Sequence, residues 1–86
     1  MVTVKKFFAT WCGPCQTLAP MLEHLSTQYA GVDFLNINID ENAEQVQGYG
    51  VRSVPTVIIE KNGLEVKRFV GVQPINTYAK AINESL

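Results

Sequence analysis

Two periodicities divide this chain into strands and helices. Val2 to Ala9 sets Val, Thr and Phe around two lysines and predicts a strand whose end delivers Trp11 and Cys12 into a loop. From Pro14 to Tyr29, the residues Leu18, Met21, Leu22, Leu25 and Tyr29 recur at helical spacing. Pro14 falls in the first turn, where its missing N–H is not needed. Pro20 lies inside this helix, removes one backbone hydrogen bond and is expected to bend the axis. Val32 to Ile39 alternates, with Leu35, Ile37 and Ile39 on one face and Phe34, Asn36 and Asn38 on the other, which predicts a second strand.

Asp40 or Asn42 is expected to cap a short helix that carries Ala43, Val46 and Tyr49 and stops at Gly48 or Gly50. Pro55 to Glu60 is a dense β-branched run, Asn62-Gly63 signals a tight hairpin, and Leu64 to Val70 is the returning strand. Past Gly71, Pro74 opens a last helix in which Ile75, Tyr78, Ala79, Ile82 and Leu86 repeat along one face. The predicted order is β-α-β-α-β-β-α. Strands separated by helices pair in parallel and a closing hairpin adds an antiparallel edge, so the fold class is α/β, a four-stranded mixed sheet with helices on both faces. No linker or repeat interrupts the pattern, and residues 1–86 are expected to form a single domain.

Composition narrows the function. Hydrophobic residues at 47% and charged residues at 17% suit a globular chain with its own core. Seven basic and eight acidic residues are scattered to a net charge of −1, so no basic field for nucleic acid is expected. No apolar run reaches the length of a membrane span and the first residues lack the order of a signal peptide, so a soluble, cytoplasmic protein is expected.

Cys12 and Cys15 are the only cysteines. Three positions apart, they close too short a loop to constrain an unfolded chain much, so a structural staple is a poor explanation. The spacing suits a pair that opens and closes, or half of a metal site. A tetrahedral site needs about four ligands, and His24 is the only histidine, more than two helical turns beyond Cys15. No metal is expected. Cys12 at a strand-to-helix junction meets unpaired N–H groups and the positive end of the helix dipole, which favour a thiolate. Cys15 lies one turn on and can resolve a mixed disulfide formed at Cys12. Between them, Gly13 is expected to let the chain turn tightly, and Pro14 withholds one donor from the thiolate, which implies a reducing couple.

The run Phe7-Phe8-Ala9-Thr10-Trp11-Cys12-Gly13-Pro14-Cys15 resembles the active-site segment of the thioredoxin family. The likeness continues through Ala19-Pro20, Asn38-Ile39-Asp40, Val51-Arg52-Ser53-Val54-Pro55-Thr56, Lys61-Asn62-Gly63 and Val70-Gly71, in family order and at family spacing. It implies a minimal thioredoxin fold and a disulfide reductase that needs no cofactor of its own. Disulfide-containing proteins would be its substrates and a flavin-dependent, NADPH-fed thioredoxin reductase its electron donor. It further implies a cis bond before Pro55, a backbone dock for extended substrate at Val54, and an apolar lip of Trp11, Val54 and Gly71 around the dithiol. Arg52 is expected to be a solvated loop charge.

The chain also departs from the family. The strand and helix with which thioredoxins usually begin are absent, so Val32 to Ile39 is expected to form an exposed sheet edge, although a monomer is still expected. Lys6 stands where a buried aspartate is usual behind the second cysteine, and Asn36 where its lysine partner is common. Lys6 is therefore a candidate modulator of proton transfer, or else a cation whose ammonium reaches solvent. Two alternatives remain open: a glutaredoxin-like reductase recycled by glutathione, and a thioredoxin-fold binding module whose dithiol is incidental.

Overall fold

The computed structural model describes residues 1–86. The elements are β1 (Val2–Phe8), α1 (Gly13–Gln28), β2 (Asp33–Asn38), α2 (Ala43–Tyr49), β3 (Thr56–Lys61), β4 (Leu64–Val70) and α3 (Ile75–Ser85). The strands form one mixed sheet in the order β2-β1-β3-β4, with β1 parallel to β2 and antiparallel to β3, and β3 antiparallel to β4. This is the β-α-β-α-β-β-α order read from the periodicities. β2 is an edge, as expected.

Alternation along β1 sends its side chains to two unequal faces. Val2 and Val4 join Val57 and Ile59 of β3 beneath Leu18, Leu22 and Leu25 of α1 and Tyr78, Ala81 and Ile82 of α3, which forms the main core. On the other face Phe7, Ile37 and Ile58 make a smaller cluster against which Val46 and Tyr49 of α2 pack. Helices therefore lie on both faces, but α2 itself has no fully buried residue. The Val32–Ile39 segment alternates as expected. Phe34 packs on the main core while Ile37 and Ile39 serve the small cluster, and Leu35 stays 47% exposed because α2 is too short to reach over it.

Local punctuation falls where the turn chemistry placed it. Asn62 (φ 53°) and Gly63 (φ 83°) both take positive φ in the β3–β4 hairpin, the combination a two-residue turn between right-twisted strands requires. Gly50, left-handed at φ 65°, ends α2, whereas Asn42 holds the N-cap position without a capping bond, its side-chain amide donating instead to the Asn38 carbonyl. α1 runs unbroken from Gly13 to Gln28 through Pro20. Leu86 is the exception: α3 buries Ala81 and Ser85 instead and leaves Leu86 exposed as its terminal cap, where the last turn has no further chain to pack it down.

The lysine pair of β1 shows what alternation does to charge. Lys5 faces α2, donates to Tyr49 Oη at 2.6 Å and pairs with Glu60 at 3.1 Å, while the Tyr49 hydroxyl donates to Glu60. The hydrogen bond to Tyr49, followed by the Glu60 carboxylate, outweighs desolvation and raises the Lys5 pKa. Arg68 completes this polar cover by donating to the Tyr49 carbonyl and to both oxygens of Glu65. Lys6 faces α1 and has no hydrogen-bond partner.

Candidate active site

The turn from β1 into α1 assembles the chemistry. The Cys12 N–H donates to the Ala9 carbonyl at 3.2 Å. This holds Cys12, in extended conformation, as the N-cap of α1. The first N–H groups of a helix have no partner within it, and a capping side chain accepts from the second or third residue. The second residue here is Pro14, which has no N–H. The third is Cys15, whose N–H donates to Cys12 Sγ at 3.2 Å. Cys12 sulfur thus sits on the donor and at the positive end of the dipole that stabilise a thiolate.

The two sulfurs lie at disulfide-bonding distance, with Cα atoms 5.3 Å apart. Both cysteines are buried with Ala9 in a small cluster flanked by Phe8, Ile39 and Val54. Access is from the side of Trp11 and Gly13, both exposed, with Trp11 at 69%. Gly13 corrects one expectation. Its φ is ordinary and a Cβ there would meet no atom within 4 Å, so the turn does not require glycine.

Val54 and Gly71 arrive from separate loops, at the same end of the sheet as the dithiol. Val54–Pro55 is a cis peptide, and the Thr56 hydroxyl donates to the Ser53 carbonyl at 2.7 Å within that loop. The Gly71 N–H donates to the Pro55 carbonyl at 2.9 Å, joining the two loops. Gly71 has φ 84°, a conformation that favours glycine. Trp11 is held too, its indole N–H donating to Asp40 Oδ2 at 3.2 Å. Asp40 is therefore not the helix cap, since Asn42 takes that position.

Tyr78 was legible only as a core residue of α3. It is fully buried, its hydroxyl accepts from the Gln73 N–H at 3.0 Å and donates to the Gly71 carbonyl at 3.4 Å, and burial raises its pKa. The only signal in the sequence is that a buried tyrosine needs a partner for its hydroxyl. Tyr78→Phe is expected to cost about 1 kcal/mol in urea denaturation, because it orphans the Gln73 N–H, and to quicken amide exchange at Gly71 and Gln73. Unchanged exchange at both amides would show that the hydroxyl does not hold this loop.

Lys6 faces the groove between α1 and β2, a space of about 310 Å³ that it borders with Val4, Ala19, Leu22, Glu23 and Asn36, and neither sulfur lines that groove. The residue is 7% exposed, and its ammonium sits 5.3 Å from the Phe8 ring. No unpartnered side-chain nitrogen is sealed from water, so the Lys6 ammonium reaches solvent through the groove. Burial lowers its pKa, opposed in part by the charge of Glu23. His24 lies further along α1 and meets Gln28 at 3.2 Å.

Comparison with known proteins agrees with this geometry. The thioredoxin family model matches residues 1–84. The chain belongs to the thioredoxin family. It is 42% identical to a thioredoxin of Staphylococcus aureus over 86 residues, covering 99% of this chain and 83% of that one. Among solved structures, Fasciola hepatica thioredoxin superposes with a TM-score of 0.92 at 35% identity, covering 99% of this chain and 81% of its own. A thioredoxin from Nicotiana alata also gives 0.92, at 38% identity, covering 98% of this chain and 72% of its own. The fold is that of a thioredoxin, and the protein is a thiol–disulfide oxidoreductase with a redox-active cysteine pair. As in thioredoxins generally, it takes disulfide substrates and a reductase partner.

Proposed function

We propose that residues 1–86 act as one unit, a monomeric cytoplasmic reductase of protein disulfides in which Cys12 is the nucleophile and Cys15 the resolving thiol. The Cys12 thiolate attacks one sulfur of a substrate disulfide, forming a mixed disulfide and expelling the other substrate sulfur as a thiolate. The Cys15 thiolate then attacks Cys12 Sγ, which closes the Cys12–Cys15 disulfide and releases the second substrate thiolate. Two electrons pass to the substrate and the protein is left oxidised. The observation that carries this reading is the Cys15 N–H donating to Cys12 Sγ at the head of α1, with the partner sulfur at bonding distance.

Trp11, Gly13 and Pro14 form the outer loop of the site. Val54, Pro55 and Gly71 offer the backbone edge and apolar surface on which an extended substrate docks. Support for this comes from the packing of Val54 on the cysteine cluster and the bond from Gly71 to Pro55. Lys6 does not relay protons, because its ammonium opens on the α1–β2 groove, and the thiol proton of Cys15 leaves to water.

Recharging is assigned to a flavin-dependent thioredoxin reductase fed by NADPH. Insulin reduction supplied in turn by that system and by glutathione with glutathione reductase tests this. Rapid turnover is expected only with the first. Equal or faster turnover with glutathione would overturn the assignment in favour of a glutaredoxin-like cycle.

A further inference from the structure

Beside the dithiol, on the side of α2, lies a groove of about 470 Å³ walled by Trp11, Ile39, Val46, Val51 and Val54. Arg52 is its one charged lining residue. The side chain is exposed, donates no hydrogen bond, and has no carboxylate within ion-pairing distance. Arg68, the other arginine, is tied down by Glu65 and the Tyr49 carbonyl. The carboxylate of Asp40 is engaged by the indole N–H of Trp11, another residue of the groove.

We infer that Arg52 determines specificity: it selects protein disulfides in which an acidic residue flanks the reacting cysteine, with the neighbouring apolar side chain seated in the groove. The inference rests on the reductase reading above. An extended substrate laid along Ser53 and Val54 directs alternate side chains to one side, so a residue near its cysteine passes over the groove. The apolar walls accept a side chain of almost any shape and discriminate little. A free guanidinium, whose planar fork matches a carboxylate, discriminates by sign of charge. Because Arg52 already lacks a partner, an incoming carboxylate displaces only water.

The test uses pre-reduced protein in single-turnover reactions, so no recycling partner is involved. The probes are disulfide peptides identical except for Glu, Gln or Lys at one position flanking the cysteine, scanned on both sides. At low salt the Glu peptide is expected to react about fivefold faster than the Lys peptide at the preferred position, with Gln between. The ratio should shrink at high salt, fall to near one in Arg52→Gln and invert in Arg52→Glu. Taking the ratio within each variant removes any general effect on activity. A wild-type ratio near one at every position, or a preference that survives in Arg52→Glu, overturns the role of Arg52 and leaves the reductase reading standing. Failure of the wild type to reduce any peptide overturns both.

Discussion

Cys12→Ser is expected to lower the rate of insulin reduction by about 10³-fold or more, whereas Cys15→Ser halts after a single step and remains covalently joined to its substrate. The asymmetry follows from the two environments. Cys12 Sγ receives the Cys15 N–H at the positive end of α1, an arrangement that favours its thiolate as the attacking species. Cys15 lies one turn further along α1, within bonding distance of Cys12 Sγ, and is placed to displace it from a mixed disulfide. Intact-protein mass spectrometry of each variant mixed with oxidised insulin separates the roles. An adduct should form on Cys15→Ser and not on Cys12→Ser. An adduct on Cys12→Ser would reverse the assignment, and an undiminished rate in that variant would remove the dithiol from the reaction.

Neighbouring lysines should answer the same substitution with opposite signs. Lys5→Met strands the carboxylate of Glu60, 6% exposed, with only the Tyr49 hydroxyl for company. A loss of about 2 kcal/mol is expected, low for a buried pair because the Lys5 ammonium keeps some contact with water. Lys6→Met removes a charge that has no hydrogen-bond partner and is only partly compensated by Glu23, and should stabilise the protein by on the order of 1 kcal/mol.

The pH dependence fixes both signs. The Lys5 pKa is raised, so its stabilisation is complete below the ordinary 10.5 and is lost as pH climbs through the higher folded value. The Lys6 pKa is lowered, so its penalty is complete below the folded value and fades as pH rises from there to 10.5. Urea denaturation at pH 7 should therefore separate the variants by about 3 kcal/mol, and at pH 11 the gap should narrow. Shifts of the same sign at pH 7 would contradict the face assignment. The pH profile of disulfide reduction is expected to be unchanged in Lys6→Met. A displaced profile would restore Lys6 to the mechanism.

Much of this was legible along the chain because it depends on neighbours in sequence. The period of Leu18, Leu22 and Leu25 specifies a helix, Asn62-Gly63 specifies its turn, and the run before Pro14 places Cys12 at a strand-to-helix junction. The resemblance to thioredoxins extends the reading to the cis bond before Pro55 and to the convergence of Val54 with Gly71, which no local rule supplies. Gly13 misleads because a glycine in a turn suggests a conformational need, whereas in the fold its φ is ordinary and its surroundings are empty.

What the sequence determined by itself was the set and order of elements and the place of the reactive sulfur, since backbone periodicity and capping act within a few residues. The tertiary structure alone decided which of Lys5 and Lys6 meets a carboxylate, that the Tyr78 hydroxyl braces the Gly71 loop, and that Arg52 is left free beside an apolar groove. Those outcomes turn on groups distant in sequence, whose approach is set by how helices settle on the two faces of one sheet. Charge and hydrogen-bonding capacity are written in the residue, but their effect depends on the partner and on the water that packing admits.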